Sequence, residues 1–310
     1  MHAVRLCTFG GPEVLDLVEL DTPEPGAGQV LVRVLANGVN PADWKVRSGL
    51  VPRYGPPPLT PGLDVSGVVD RVGHDVTAFR PGDEVVGTPM GGGYADHVVV
   101  DVDALAAKPA GVDHATAAAL PIAGLTAWQA LTEAARIQPG DRILVHAAAG
   151  GVGHLAVQLA KHLGGYVTGT ASAVNHDFLR DLGADEVVDY RTTDFTTVVR
   201  DAHAVLDMIG GDYGPRSLNV LRPNGILVSI SGSGSDRLVT HEIAAARGLR
   251  YAEFPVHSSG ADLASLLDLV AAGALRVEVT DTMPWTEAAE AHRRSESGRI
   301  RGKLVLTHRT

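Results

Sequence analysis

Cysteine is almost absent from this chain. Cys7 is the single cysteine among 310 residues, so no intramolecular disulfide can form, and this usage is typical of a reducing compartment. Cys7 lies at a predicted strand near the start of the chain, Ala3–Leu6, and we expect a buried structural thiol rather than a nucleophile there. A small fold held together by disulfides is therefore excluded.

Long apolar runs and excess positive charge are also lacking. No hydrophobic stretch continues long enough to span a bilayer, and the N-terminus has a strand pattern rather than the basic-then-apolar layout of a signal peptide. We therefore expect a cytoplasmic protein with no membrane partner. The formal net charge of -10 argues against binding to nucleic acid or acidic membranes. An anionic ligand would need local positive potential, which the N-terminus of a helix supplies.

The chain does contain enough apolar residues for two domains. Hydrophobic residues make up 45% of its 310 positions, which is ordinary for a globular protein of this length. Up to about residue 120, short β-type runs alternate with proline and glycine clusters, and this pattern indicates a barrel-like or otherwise compact β domain. The strands predicted in this part cover residues 3–6, 30–35, 65–69, 83–87 and 95–100.

From Leu120 onward the pattern changes to alternating strands and helices. A helix of small residues comes first, and repeated strand–helix units then predict a parallel, doubly wound sheet. After about residue 260 this rhythm ends, and we expect the last elements to return to the first domain. The predicted strands here are 143–145, 167–170, 186–190, 204–209, 225–230, 249–254, 277–279 and 303–306.

The most informative stretch is a glycine-rich turn. Ile143–Val145 is typical of a buried strand, and apolar residues recur at helical spacing from Leu155. Between them, Ala148-x-Gly150-x-x-Gly153 matches a dinucleotide fingerprint, with alanine in place of the first glycine. In this interpretation the turn approaches a pyrophosphate at the helix N-terminus, and Gly153 lets the helix pack on the strand. A glycine corner without a ligand is the alternative, which the strand before it and the helix after it disfavour.

The nucleotide preference depends on the end of the next predicted strand, Val167–Thr170. An NAD-type fingerprint expects an acid about 20 residues after the glycines, where it holds the ribose 2′-hydroxyl. Between Thr170 and Asn175 this chain has no acid. A carboxylate there would repel a 2′-phosphate, whereas hydroxyl and amide groups donate to one. The sequence therefore favours NADP(H), although Ser172 and Asn175 are also ordinary helix-capping residues.

Further motifs lie along nearly the whole chain. Together with the glycine turn, they make it resemble a medium-chain dehydrogenase/reductase, in the zinc-free branch of quinone reductases and zeta-crystallin. The motifs are Phe9–Leu15, Gly38–Asp43, Pro61–Val69, Ala147–Gly153 and Leu182–Asp185.

The resemblance implies an α/β fold with two domains. A β-rich GroES-like catalytic domain would comprise residues 1–121 and 258–310, and a doubly wound parallel-sheet (Rossmann) domain that binds NADP would comprise residues 122–257. The active site would lie in the cleft between these domains. The resemblance also implies a homodimer through edge strands of the nucleotide sheets, with the strand around Tyr251 at that edge.

Zinc-dependent relatives provide a direct comparison. By the resemblance, zinc-dependent relatives have a cysteine ligand where this chain has Asn40 and a histidine–glutamate pair where it has Leu63 and Asp64. Those relatives also carry a structural lobe with four cysteines, which a chain with one cysteine cannot build. We therefore expect no metal. Without zinc, hydride from the nicotinamide would attack the β-carbon of a conjugated carbonyl, and hydrogen-bond donors would stabilise the negative charge on oxygen. The expected partner is thus a small quinone or enone.

Four residues are candidates for catalysis. By resemblance, Asn40 lies beside the nicotinamide ribose and substrate, and Asp43 orders the pocket wall; the alternatives are a turn residue before a proline and a helix cap. Close quinone reductases have tyrosines where this chain has Lys45 and near residues 50–51. Tyr54 could replace the second tyrosine, and Lys45 could donate to an enolate oxygen if it is desolvated. An exposed loop and a solvated lysine are the alternatives for these two.

The resemblance also assigns cofactor contacts. Thr126 would meet the nicotinamide end, and Arg191 or Arg299 would supply the positive charge that relatives carry near Val174. Most of the other candidates follow predicted strands, and an open α/β sheet binds its ligand at the carboxyl ends of its strands. The expected cofactor-binding residues are Asn40, Thr126, Gly150, Gly151, Val152, Ser172, Asn175, Tyr190, Arg191, Ile209, Ser231 and Arg299.

Three functions are open from the sequence. The first is an NADPH-dependent reductase of quinones or α,β-unsaturated carbonyls, with a dedicated biosynthetic enoyl reductase as its narrower form. The second is a non-catalytic NADPH-binding protein of crystallin type. The third is a zinc alcohol dehydrogenase. The altered tyrosines leave the acceptor undetermined.

Overall fold

The computed structural model describes residues 1–230 and 236–308, which form two compact units. The first unit consists of Met1–Leu125 and the segment from Ser258 onward, and the second of Thr126–His257. Both ends of the chain thus contribute to the first unit. In the described residues, no helix combines the length and the apolar composition that a membrane crossing needs.

Most elements before residue 110 are strands, and helices and strands alternate from Pro121 onward. The strands are β1 (His2–Leu6), β2 (Leu15–Glu19), β3 (Gln29–Val39), β4 (Val65–Val72), β5 (Glu84–Gly87), β6 (His97–Asp101), β7 (Leu105–Ala107), β8 (Arg142–Val145), β9 (Tyr166–Ala171), β10 (Glu186–Asp189), β11 (Ala202–Asp207), β12 (Leu221–Ser229), β13 (Arg250–Glu253), β14 (Val279–Pro284) and β15 (Lys303–Thr307). The α-helices are α1 (Pro41–Arg47), α2 (His114–Ala118), α3 (Pro121–Gln129), α4 (Gly153–His162), α5 (His176–Asp181), α6 (Phe195–Val198), α7 (Tyr213–Ser217), α8 (Asp236–Ala246), α9 (Gly260–Ala271) and α10 (Ala288–Glu296).

The sheet of the first unit is built around the long strand β3. Its strand order is β14-β15-β3-β4-β5-β7, and β6 also pairs with β3. Buried valines from β3, β4, β5 and β6 pack together in one core cluster, because alternate positions of each strand face the same side. The predicted β domain is confirmed. The short strands β2 and β7 were not predicted, and the strand predicted at 277–279 runs instead from Val279 to Pro284.

The C-terminal strand β15 returns to β3, as the break in the sequence pattern predicts. It pairs antiparallel with β3, with Leu304 opposite Val39 and Val305 opposite Gly38. This register brings Lys303, the first residue of β15, to the position beside Asn40. The contact joins residues 263 positions apart in the chain.

The second unit contains a six-stranded sheet in which every pairing is parallel. The strand order is β10-β9-β8-β11-β12-β13, so the order reverses between β8 and β11. The predicted doubly wound sheet is confirmed, including the sixth strand. A reversal of this kind is where open α/β sheets bind ligands, at the carboxyl ends of the strands.

One expectation about the first strand is wrong. Cys7 is exposed rather than buried. β1 ends at Leu6, and the chain bends over the next three residues, so Cys7 does not continue the strand into the core.

Candidate active site

The glycine turn of the second unit joins β8 to α4. A Cβ atom on Gly153 would lie 2.3 Å from the Ala147 carbonyl oxygen and 2.7 Å from Ala148 Cα, so this position requires glycine. Among the described residues, a Cβ on Gly150 would meet only the Ala147 carbonyl oxygen, at 3.2 Å. Gly153 therefore permits the close packing of helix on strand, while Gly150 leaves one side of the turn open.

The backbone amides of this turn fit an anionic ligand. Among the described residues, the N–H groups of Gly151 and Val152 have no protein acceptor. Both stand immediately before α4, whose N-terminus carries partial positive charge. The turn also lies at the reversal of strand order between β8 and β11. These features match what a dinucleotide pyrophosphate requires.

Four of the predicted cofactor residues lie at neighbouring strand ends. β9 and β10 pair in parallel with Ala171 opposite Asp189, so Ser172 and Tyr190 leave the same edge of the sheet. The Asn175 amide donates to Ser172 Oγ at 3.4 Å. Tyr190 and Arg191 are exposed, with the Arg191 guanidinium 5.8 Å from the centre of the Tyr190 ring. The structure thus groups small polar side chains with one arginine.

The remaining cofactor predictions have different settings. Ile209 follows β11 and is exposed, and its N–H donates to Asp207 Oδ1 at 2.9 Å. Thr126 is buried in α3. Arg299 is exposed in the loop between α10 and β15. Ser231 lies outside the described residues.

The first unit contains a pocket of about 310 Å³ that two of the predicted catalytic residues share. Asp43 lies at its wall, and Tyr54, the last residue of the short 3₁₀ helix Pro52–Tyr54, also lines it. Lys45 is not among the described lining residues, and its ammonium lies 5.7 Å from the Trp44 ring. The pocket is lined by Asp43, Val46, Tyr54, Pro58, Leu59, Thr60, Pro61, Gly62, Leu63, Met90, Gly91 and Gly92.

Asp43 also fixes the backbone around this pocket. Its carboxylate accepts from the N–H of Asn40 at 2.8 Å, the N–H of Gly62 at 3.2 Å and the Tyr94 hydroxyl at 3.2 Å. The bond to Asn40 is the acidic half of a capping box at the start of α1. Burial raises the pKa of Asp43 to about 7, although its hydrogen bonds act in the opposite direction. The capping role and the pocket-wall position therefore coexist in one side chain.

A second buried cluster lies beside Asp43. Asn40 Nδ2 donates to Asp64 Oδ2 at 2.8 Å, while Lys303 Nζ donates to Asn40 Oδ1 at 2.5 Å and to Asp64 Oδ2 at 3.4 Å. All three residues are at most 3% exposed. Burial raises the pKa of Asp64, and the ammonium opposes that rise. A Cβ on Gly38 would lie 2.5 Å from Asp64 Oδ2, so the glycine of this motif makes room for the carboxylate.

Sequence reasoning missed Lys303 and Tyr94. The signal for Lys303 was a lysine that opens an apolar strand, Leu304–Leu306, directly after a glycine. Such a lysine is usually solvated, and only the pairing of β15 with β3 reveals its buried partners. For Tyr94 there was no local signal, because its partner Asp43 is 51 residues away.

A β-rich unit and a parallel-sheet unit with a dinucleotide turn, joined in one chain, define a two-domain oxidoreductase. Comparison with known proteins supports this class. The model of the alcohol dehydrogenase GroES-like domain matches residues 26–110, and that of the zinc-binding dehydrogenase matches residues 182–306. The chloroplastic quinone oxidoreductase QR1 of Triphysaria versicolor is 35% identical, over 99% of this chain and 98% of its own. A 2-haloacrylate reductase of a Burkholderia species is also 35% identical, over 96% of each chain.

Solved structures show the same architecture. The quinone oxidoreductase of Coxiella burnetii matches with a TM-score of 0.93 and 37% identity, over 100% of this chain and 99% of its own. The Escherichia coli quinone oxidoreductase, solved in complex with NADPH, matches with a TM-score of 0.90 and 32% identity, over 99% of this chain and 100% of its own. The chain therefore belongs to the medium-chain dehydrogenase/reductase family, in its quinone oxidoreductase branch.

Proposed function

We propose that this chain is an NADPH-dependent reductase that delivers hydride to a quinone or an α,β-unsaturated carbonyl compound without zinc. We assign cofactor binding to the second unit and acceptor binding to the first. The observation that carries the proposal is the turn before α4, where Gly153 lacks a Cβ and the amides of Gly151 and Val152 have no described protein acceptor. NADPH supplies the hydride when it is bound. A narrower enoyl reductase would use the same groups.

The strand ends of the second unit support NADPH over NADH. No carboxylate occupies the stretch from Thr170 to Asn175, where one would repel a 2′-phosphate. Ser172 and Asn175 offer small polar groups, and Arg191 at the end of the neighbouring strand offers a guanidinium that pairs well with phosphate. Arg299 and Ser231 stay predictions as further contacts.

The pocket of the first unit supports a small, uncharged acceptor. Its volume of about 310 Å³ is at the lower end for small-molecule sites, and most of its described lining side chains are apolar. Tyr54 carries the hydroxyl group that we propose as hydrogen-bond donor to the acceptor oxygen, where negative charge develops. Asp43 holds the wall by binding the backbone of Gly62 and Asn40. Lys45 lies outside the described lining, so we favour Tyr54 as the donor.

The side chains at the zinc-ligand positions support a reaction without zinc. Leu63 is apolar, and Asn40 and Asp64 are both bonded to the Lys303 ammonium. A zinc ion held by these oxygens would stand beside that positive charge, which opposes its binding. In the described ranges, no group of three or more His, Cys, Asp or Glu side chains is arranged to hold a metal ion.

A cofactor titration followed by a turnover panel tests the proposal. We expect NADPH to bind the purified chain about tenfold more tightly than NADH, because a charge-assisted contact to the 2′-phosphate is worth about 1.4 kcal/mol or more. Arg191→Gln is expected to reduce that preference. Arg180→Gln is the matched control, because Arg180 is exposed and pairs with Asp177. NADPH oxidation is then followed by absorbance with a quinone, an enone, a 2-haloacrylate and a saturated aldehyde.

The outcomes separate the three functions. Oxidation with the quinone or enone supports the reductase. Tight NADPH binding without turnover of any acceptor would indicate the non-catalytic protein. Stoichiometric zinc together with alcohol oxidation would indicate the zinc dehydrogenase. NADH binding equal to or tighter than NADPH binding would contradict the assignment of the strand ends.

A further inference from the structure

β15 brings a lysine ammonium into the interior of the first unit. The Lys303 side chain is 3% exposed and that of Asp64 is fully buried. Buried ammonium groups are rare, because losing water costs several kcal/mol unless the charge is paired and hydrogen-bonded. Lys303 meets this requirement through Asn40 and Asp64, which are the hydrogen-bond partners of its Nζ among the described residues. Because desolvation of this ammonium is unfavourable, we infer that Lys303 has a role beyond packing.

The partners of Lys303 select one orientation of the Asn40 amide. Its Oδ1 accepts from the ammonium, and its Nδ2 donates to Asp64 Oδ2. Rotating the amide by half a turn would set Nδ2 against the ammonium and Oδ1 against the carboxylate, and both contacts would be repulsive. The ammonium and the carboxylate therefore hold Asn40 from two sides. One N–H of its Nδ2 is left for other contacts.

The same carboxylate extends the network to a third element. Asp64 Oδ1 accepts from the N–H of Ile122 in the first turn of α3, at 2.8 Å. Asn40 is the N-cap of α1, and the first turn of α1 carries Asp43 at the pocket wall. Strand β15, the start of α1 and the start of α3 thus meet at one buried ion pair.

We propose that Lys303 is a positioning residue of the reductase site: its ammonium fixes the orientation of the Asn40 amide and the Asp64 carboxylate and so holds the start of α1, from which Asp43 faces the acceptor pocket. This inference rests on the proposed function for its catalytic consequence. Its structural part concerns the first unit alone.

The charges around Lys303 provide a readout that is independent of turnover. The groups that face it are Asp64, Asp43 and, through Asp43, the hydroxyl of Tyr94. The ammonium lowers the pKa of Asp43 and of Asp64, in opposition to burial. Removing it should therefore raise the pKa of both carboxyls, and replacing a buried lysine elsewhere should raise neither.

The test compares Lys303→Met with Lys108→Met. Lys108 is a matched control: its side chain is 4% exposed and pairs with Glu84 at 2.9 Å, in the same unit but outside the pocket lining. We expect Lys303→Met to lower kcat about tenfold or more with an NADPH Kd within about threefold of the parent, because the loss is one of positioning. We expect Lys108→Met to leave kcat unchanged. Circular dichroism and thermal melting establish that each variant is folded.

The double variant Lys303→Met/Asp64→Asn covers the case in which Lys303→Met does not fold. It removes both charges, so no unpaired buried carboxylate is left. We expect it to fold and to keep the low kcat, because the new amide at position 64 sets an N–H donor against Asn40 Nδ2 and no ammonium is left to hold the Asn40 amide in its original orientation. A parental kcat in either Lys303 variant would overturn the proposal.

Carboxyl titration in cofactor-free protein separates this inference from the proposed function. Carbon NMR of aspartate-labelled protein, with Asp43→Asn used for assignment, follows the Asp43 carboxyl. We expect Lys303→Met to shift its titration upward by about one pH unit or more, and Lys108→Met to leave it in place. An unshifted titration in Lys303→Met would overturn the positioning role. Absence of NADPH turnover in the parent, with the shift present, would refute the proposed function alone.

Discussion

Asp43 is almost wholly buried, and its carboxylate accepts hydrogen bonds from two backbone N–H groups and from the Tyr94 hydroxyl. Through these hydrogen bonds the carboxylate holds three parts of the site: the start of α1, the loop at Gly62 and the Tyr94 side chain. Burial nevertheless disfavours the ionised form, which is why the pKa of Asp43 rises to about 7. At the scale of single residues, the site therefore contains a carboxyl whose charge changes near neutral pH.

The pH dependence of unfolding tests this raised pKa. The pKa of Asp43 is about 7 in the folded chain, whereas its ordinary value, which applies to the unfolded chain, is 3.8. Between these pH values the folded protein therefore keeps a proton that the unfolded chain has released. This contribution to stability is present below about pH 4 and is lost as the pH rises through about 7. Asn does not titrate. Relative to the parent, Asp43→Asn should gain about 1.4 kcal/mol of stability per pH unit between about pH 4 and pH 7.

The measurement is denaturant unfolding of cofactor-free protein at several pH values in this range. Asp43→Asn has a constant offset of about 1–3 kcal/mol from its altered hydrogen bonds, so the slope with pH and not the absolute value is compared. Asp16→Asn is the control, because Asp16 is exposed on β2. Parallel pH curves for Asp43→Asn and the parent would show that Asp43 titrates at its ordinary pKa.

At the scale of elements, the corner from β8 to α4 shows how two glycines of one fingerprint differ. A Cβ on Gly153 would collide with backbone atoms of Ala147 and Ala148, whereas a Cβ on Gly150 would meet a single carbonyl oxygen at 3.2 Å. The fold therefore needs glycine at position 153. At Gly150 the stronger requirement comes from the ligand that we propose.

Alanine substitutions separate these two requirements. We expect Gly153→Ala to lower the free energy of unfolding by about 1–3 kcal/mol, since backbone atoms must move. We expect Gly150→Ala to lose about 1 kcal/mol or less but to weaken NADPH binding about tenfold or more, because its Cβ occupies the approach of the pyrophosphate. Gly111→Ala is the control, as no atom of the described residues other than its chain neighbours lies within 4 Å of its added Cβ. Parental NADPH affinity in Gly150→Ala would mean that the dinucleotide does not approach this turn.

At the scale of the whole molecule, the parallel sheet has two edges. In the described residues, β10 and β13 each have one sheet neighbour, β9 and β12 respectively. An edge strand exposes unpaired backbone groups that can pair with another chain. We propose that β13 pairs with its copy in a homodimer. The cytoplasmic location, expected from the lack of long apolar runs and of a signal-peptide pattern, also stays a prediction.

Light scattering tests the homodimer. We expect a mass twice that of the 32.3 kDa chain. Ala252→Lys on β13 should shift the protein toward monomer, because a two-fold axis sets the added like charges near each other across the strand pair. Val187→Lys on the opposite edge strand, β10, is the control and should leave the dimer intact. A monomeric parent, or a loss of dimer only in the control, would contradict pairing through β13.

Much of the fold could be predicted because its signals are local. The strand β8, the turn and α4 lie within 21 residues. Apolar spacing predicts the strand and the helix, and the glycines predict the turn. The start of α1 is equally local, since Asn40 and Asp43 are three positions apart. β2 and β7 were missed because they are short, and β2 has no fully buried position. Cys7 was misplaced because one residue decides whether a strand continues or ends.

The sequence by itself determined the family resemblance, the doubly wound sheet and the dinucleotide turn, because each is read from short motifs or repeated strand–helix units that are recognisable locally. Only the tertiary structure decided which polar groups meet. The pairing of β15 with β3 brings Lys303 to Asn40, and folding of distant segments brings the Tyr94 hydroxyl to Asp43 and places Tyr54 in the same pocket lining. The Lys303 contact depends on the register of β15 against β3, and a shift of one residue would turn its side chain to the other face.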